Sequence, residues 1–140
     1  MQVVPFEAKH LLELELQGSQ QYLSGWLTEE YGEALQDEPS YTALKDGVPV
    51  ASAGVASYWE GRAVAWAFIS ETGAADFVSV HRAVKGFLDV CYIKRVEMTV
   101  DCDFKQGHRW AKLLGFKMEC ERMTAYLPNG EDCALYARIL

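Results

Sequence analysis

From Ala63 to Ile69 the chain reads Ala-Val-Ala-Trp-Ala-Phe-Ile, an unbroken apolar run between a Glu60-Gly61 turn and the polar Ser70-Glu71-Thr72. A run this short with no polar alternation reads as a strand buried on both faces, and such strands sit in the middle of a sheet. This segment already restricts the fold. A central strand needs neighbours and cover, so further strands and several helices must be arranged around one sheet.

The rest of the chain supplies them. Val3, Val4 and Phe6 form a short strand, and residues 7–16 are helical in pattern. Gly18 and Ser19 break the chain, and the Ser19 hydroxyl is suited to cap a second helix. There Leu23, Trp26, Leu27, Tyr31 and Ala34 recur at three- and four-residue steps, with Glu29, Glu30 and Glu33 on the remaining surface, which predicts an amphipathic helix ending near Pro39. Strands at 41–45 and 48–58 are joined by a Lys45-Asp46-Gly47 turn. After the apolar run, Phe77, Val80, Val84, Phe87, Leu88 and Cys91 mark one face of a helix. Residues 93–102 alternate, with Val96, Met98, Val100 and Cys102 on one side and Arg95, Glu97, Thr99 and Asp101 on the other, as in a half-buried strand. Gly107, Trp110, Ala111 and Leu114 define a helix stopped by Gly115. Two last strands, 117–127 and 133–139, turn at Pro128-Asn129-Gly130. The order is β-α-α-β-β-β-α-β-α-β-β: a mixed α/β (α+β) fold, with about six to seven strands and four helices in a single domain, 1–140.

With 140 residues, 50% of them hydrophobic, the chain is long enough to bury a core without a metal or disulfide. Its net charge of −7 argues against a nucleic-acid partner, which demands a basic surface. The charge is uneven: residues 1–79 carry net −9 and residues 80–140 net +2, so of the two halves the second is the better suited to meet an anionic ligand. The four cysteines form no Cys-x-x-Cys pair, and no metal site is expected. Neither a signal peptide nor an 18-residue apolar span is present, which predicts no membrane association and reduced thiols in a cytoplasm.

Two segments carry a family resemblance. The first is Ser70-Glu71-Thr72-Gly73-Ala74-Ala75, at the junction between the apolar strand and a helix. The second is the run from Phe104 to Phe116, ending Lys-Leu-Leu-Gly-Phe. With the element order, they resemble the GNAT fold of acetyl-coenzyme A dependent N-acetyltransferases. In that family the junction reads Gln/Arg-x-x-Gly-x-Gly/Ala and its backbone N–H groups cradle the coenzyme's pyrophosphate, a role suited to the positive end of a helix. The resemblance therefore implies acetyl-CoA as co-substrate, Ser70, Gly73, Ala74 and Ala75 at its pyrophosphate, and a backbone N–H at Phe68 or Ile69 for the oxyanion. Ser70 replaces the usual Gln or Arg, Phe104 the usual Asn, and Ala111 the Tyr that often serves as general acid. By themselves the residues 70–75 also fit an ordinary strand-to-helix turn.

An amine acceptor must lose a proton to attack a thioester, so a base is needed. Glu71, Glu97, Asp101 and Asp103 are candidates. Glu97 and Glu71 are favoured, the former because it stands where several family members carry a strand carboxylate; an exposed strand carboxylate facing Lys94 or Arg95 is the alternative. Loss of the tyrosine is a handicap rather than a veto, because a thiol pKa of about 8.5 lies only about 2 kcal/mol above neutrality. Tyr126 or Tyr136 could replace it.

The expected activity is direct acetyl transfer to an amine of a small molecule or protein, and the acidic first half suits a cationic acceptor. The alternative is a catalytically inactive GNAT-like protein acting as a binding or virion-associated module, since the closing segment is similar to that of short bacteriophage-encoded GNAT-like proteins and a fold does not fix a function. That resemblance would place it in the host cytoplasm or the virion. A homodimer through the late strands is a further expectation.

Overall fold

In a computed structural model, which describes residues 1–36 and 38–140, the apolar run forms β4 (Arg62–Ile69), the fourth of seven strands in one sheet. The strands are β1 (Gln2–Pro5), β2 (Ser40–Lys45), β3 (Val48–Trp59), β4, β5 (Arg95–Asp101), β6 (Lys117–Met123) and β7 (Cys133–Ile139), hydrogen-bonded in the order β1-β2-β3-β4-β5-β7-β6. β4 and β5 are parallel, with Arg62 opposite Arg95 and Val64 opposite Glu97. The pairs β1–β2, β2–β3, β5–β7 and β6–β7 are antiparallel. The helices are α1 (Ala8–Glu13), α2 (Glu29–Gln36), α3 (Glu71–Ala75), α4 (Phe77–Asp89) and α5 (Lys105–Leu113), and a 3₁₀ segment covers Gly18–Trp26. No helix among the described residues is long and apolar enough to cross a membrane.

The chain forms two compact units. One comprises Met1–Ala56 and Trp66–Val90, the other Ser57–Ala65 and Cys91–Leu140. In the first, Phe6, Leu11, Leu14, Leu16, Leu27, Leu35 and Phe68 form the core, and Phe6 meets Trp66 edge-on at 5.3 Å. The turn between β2 and β3 uses Asp46 and Gly47 with φ of 52° and 78°, the left-handed pair that suits a two-residue hairpin.

The long second helix expected from Ser19 to about Pro39 is not one helix. Thr28 interrupts it: its Oγ1 accepts from Tyr31 N at 3.2 Å and its carbonyl from Gly32 N at 3.0 Å, so α2 begins afresh at Glu29. Trp26 and Tyr31, expected on the buried face, are 61% and 42% exposed; Leu27 is buried as expected, and Leu35, outside the expected face, is buried as well. The first helix is also shorter than the 7–16 pattern, because Leu14 turns extended and Leu16 bridges to Ser70.

Beneath α1 lies a polar chain. His10 Nδ1 accepts from Glu7 N (3.0 Å) and from the Thr42 hydroxyl (2.8 Å), which in turn accepts from the Ser52 hydroxyl (2.9 Å). His10, Thr42 and Ser52 are all buried.

In the second unit Val96 and Val100 of β5 are buried as the alternation predicts, but so is Glu97. α5 packs closely through small residues. A Cβ on Gly107 would stand 2.7 Å from Val100 Cγ1, and Ala111 has no exposure. Gly115, at φ 92°, ends the helix in the expected left-handed conformation, and Phe116 beyond it is buried. β6 ends at Met123, short of the expected 127.

Burial holds the His10 pKa below its ordinary 6.5, with Glu7 and Glu13 partly opposing the shift. Between the folded value and 6.5 the unfolded chain binds more protons, so this contribution to stability is complete above about pH 6.5 and lost as pH falls. The melting temperature should therefore drop between pH 7 and 5, and drop less in His10→Gln; equal slopes would show that His10 carries none of the acid sensitivity.

Candidate functional site

The C-terminal end of β4 carries the residues on which the family resemblance rests. Phe68, Ile69 and Ser70 are buried, and α3 starts directly after Ser70. Toward β3, Ser70 N donates to Val50 O at 2.9 Å. The alternate residues of β4 present their backbone to the other edge, where the chain's own residues 15–20 meet them. Ile69 N donates to Gln20 Oε1 (2.9 Å) and Ala67 O accepts from Gln20 Nε2 (2.8 Å). Ile69 O accepts from Gln17 N (2.9 Å), and Glu71 N donates to Glu15 O (3.2 Å).

The turn after β4 is closed in the same way. Gly73 N donates to Ser70 Oγ (3.0 Å) and Ala74 N to Ser70 O (2.8 Å). The sequence reading treats Ile69, Ser70, Gly73 and Ala74 as donors open to a coenzyme; in the folded chain each has a partner. Ser70 is the physical reason at Gly73, because a short hydroxyl reaches back to the N–H three residues on, as a longer Gln or Arg does not. Gly73 is small for another reason as well: a Cβ there would lie 2.2 Å from Val50 O, so glycine lets this turn rest against β3. Ala75 is exposed.

Beside this end of β4 is a cleft of about 440 Å³. Leu11, Leu14 and Leu27 contribute apolar lining, and Glu15 and Glu71, both exposed, contribute carboxylates. The cleft thus joins an aliphatic surface to two negative charges. Nothing in the residue pattern marked Glu15, Gln17 or Gln20, which lie in a stretch that reads only as helix and break.

Glu97 is placed differently. Arg62 clasps its carboxylate with Nε to Oε2 at 2.5 Å and Nη2 to Oε1 at 3.1 Å, and Arg95 Nε adds a bond to Oε2 at 2.8 Å. Arg95 also binds Glu119 through both terminal nitrogens, and the Arg62 guanidinium lies 4.4 Å from the Tyr58 ring centroid and 4.8 Å from that of Trp59. The Arg62 hydrogen bonds above all, with the one from Arg95, outweigh burial and hold the Glu97 pKa at about 2. Such a carboxylate is a poor proton acceptor near neutrality. The Arg95 contact belongs to the alternative recognised in the sequence, but Glu97 is buried rather than exposed; Arg62 is not legible there, because parallel pairing of β4 with β5 brings residues 35 apart together. Lys94 instead donates to the Leu140 carbonyl.

The remaining candidates belong to the second unit. Asp101 and Asp103 line a second cleft of about 260 Å³ with Glu131, Asp132 and Arg122. Tyr136 is fully buried. His108 Nε2 lies 3.0 Å from the Cys102 carbonyl, which can only accept, so Nε2 carries the proton and Nδ1 accepts from Tyr136 Oη at 2.7 Å. That hydroxyl is committed to fastening α5. Tyr126 is exposed. The four cysteines are free thiols, and burial pushes Cys133 up to about 11.

A central strand entering a closed turn and a helix, with the closing helix stopped by Gly-Phe, defines the chain's class of fold: it is that of the GNAT acetyltransferases. The chain is similar to Ard1 from Thermoplasma volcanium, with a TM-score of 0.80 and 18% identity over 99% of this chain and 97% of that one. A GNAT-family acetyltransferase from Bacillus anthracis gives a TM-score of 0.68 and 14% identity over 98% of this chain and 93% of that one. The yncA protein from Salmonella typhimurium, solved with its cofactor acetyl-CoA, gives 0.65 and 14% over 80% of this chain and 71% of that one. No protein-family model matches the sequence, and comparison with curated proteins finds no significant match.

The Glu97 cluster is testable through stability. Because its folded pKa is about 2 against 4.5 for the free group, its contribution is present above about pH 4.5 and lost as pH falls toward 2. Glu97→Gln should destabilise the chain at pH 7 by roughly 2 kcal/mol and flatten the acid limb of a urea-denaturation profile between pH 4.5 and 2. An unchanged limb would show that the ion pairs add nothing.

Proposed function

We propose that this chain is an acetyl-CoA-dependent N-acetyltransferase whose acceptor is a cationic amine on an aliphatic stem. The observation that carries the reading is the β4 cleft, where leucine side chains and the carboxylates of Glu15 and Glu71 lie beside the strand end on which the family resemblance rests. Acetyl-CoA would supply an activated acetyl thioester. The donors for it are the Ile69 and Gly73 amides, each held at present by a single side chain, Gln20 and Ser70. Two side-chain rotations release them, each exchanging a hydrogen bond whose net worth is about 1 kcal/mol.

Within the cleft the leucines hold the aliphatic stem, and the paired carboxylates attract the ammonium. Glu71, which opens α3 directly after β4, takes the proton that the amine must lose, directly or through water. Glu97, clasped by two guanidiniums, holds β4 and β5 together instead. This moves the base from Glu97, favoured on resemblance, to Glu71.

The engaged amides at Ile69, Glu71, Gly73 and Ala74 favour a second reading, a GNAT-shaped binding module without transfer chemistry. Thiol release from acetyl-CoA in the presence of aliphatic amines and diamines separates the two. Transfer should fall about 100-fold or more in Glu71→Gln, within the range of general-base catalysis, and persist in Glu97→Gln at a temperature where that variant is folded. Acetyl-CoA at 100 times its dissociation constant should also stabilise the chain by about 2.7 kcal/mol. No thiol release and no stabilisation at millimolar acetyl-CoA would leave the second reading.

A further inference from the structure

Residues 15–20 lie along the edge of β4 as an added strand would, yet their hold is of two kinds. At Glu15 and Gln17 it is main chain on main chain: Glu15 O accepts from Glu71 N, and Gln17 N donates to Ile69 O. At Gln20 it is a side chain that makes both bonds, its Nε2 donating to Ala67 O at 2.8 Å and its Oε1 accepting from Ile69 N at 2.9 Å. One carboxamide therefore satisfies the acceptor and donor that an extended chain would meet with amide groups of its own.

The segment that carries Gln20 meets the core through partly buried side chains, Leu23 among them. It is a nine-residue 3₁₀ stretch, Gly18–Trp26, in which no residue is fully buried. Runs of 3₁₀ geometry longer than three or four residues are uncommon, because their hydrogen-bond geometry is poorer than that of an α-helix. A Cβ on Gly18, next to the last main-chain contact, would meet no atom within 4 Å. Gln20 can thus leave Ile69 by rotating its own side chain, without moving β4 and without breaking the Gln17 and Glu15 contacts.

We propose that Gln20 is a gate on the edge of β4: its carboxamide stands in for an amide-bearing extended ligand, and that ligand enters by displacing it. Resting on the acetyl-CoA reading above, the ligand is coenzyme A, whose arm carries two secondary amides in an extended chain. Gln20 is a positioning residue and takes no part in acetyl transfer. By holding Ile69 it keeps the strand end paired in the free protein, and it lowers the apparent affinity for coenzyme by the fraction of time the gate is shut.

The test joins hydrogen exchange in the free protein with calorimetric titration of coenzyme A, using Gln20→Ala and the length-preserving Gln20→Met. In both variants the Ile69 amide should exchange at least tenfold faster than in the wild type, while the Glu71 amide, bonded to main chain, keeps its rate. Coenzyme A should bind the variants about tenfold tighter, as expected if the gate is shut about nine-tenths of the time, and bound coenzyme should slow Ile69 exchange again. Equal dissociation constants in wild type and variants would overturn the gate and leave the acetyl-CoA reading standing. Unaltered Ile69 exchange would overturn it whatever the affinity. Binding by none of the three proteins at millimolar coenzyme A would overturn that reading and the gate with it.

Discussion

A strand in the middle of a sheet has to pair its backbone on both edges, because an unpaired buried N–H or C=O costs about as much as the hydrogen bond it lacks. At the end of β4 that requirement is met by partners of three kinds. Val50 of β3 supplies a main-chain carbonyl, residues 15–17 supply main-chain groups from a stretch that has left its helix, and the Gln20 and Ser70 side chains take the Ile69 and Gly73 amides. The first two sets hold the fold. The third is attached through rotatable side chains, and only there can the strand end exchange a partner without unfolding. The early end of α1 follows from a chain that must bring residues 15–20 alongside β4.

Electrostatics divides the labour between the two carboxylates singled out by the sequence. Glu97 is buried among cations, and the bidentate Arg62 contact fixes it as an anion whose basicity is spent on structure. Glu71 stands exposed in a cleft with Glu15 and leucines, where a carboxylate can meet an ammonium from solvent. The charge asymmetry of the chain takes on a local meaning here. The acidic first part supplies this cleft, while four of the charges near β5 are consumed in the Arg62–Glu97–Arg95–Glu119 chain.

Much of the fold was legible because it is written in local patterns. The apolar run gave β4 and its central place, the alternation after Lys94 gave β5, Asp46-Gly47 gave the hairpin, and Gly115 gave the end of α5. The break between Ser19 and Pro39 was not legible, since apolar residues at helical spacing do not reveal that Thr28 caps a new helix or that Trp26 faces solvent. The site was legible only as a location. Residues 68–75 marked the strand end, but whether the Ile69 and Glu71 amides are free depends on Gln20 and Glu15, which lie about fifty residues away and carry no motif. The partner of Glu97 was hidden for the same reason, because register between parallel strands is a property of the sheet.

The most direct measurement is a crystal structure of the chain grown with acetyl-CoA. The thioester arm should lie along the end of β4, with the Gln20 carboxamide rotated off Ile69 and the acetyl carbon facing the Glu71 cleft. Crystals grown in saturating acetyl-CoA that keep Gln20 on Ile69, with no coenzyme against β4, would contradict the account.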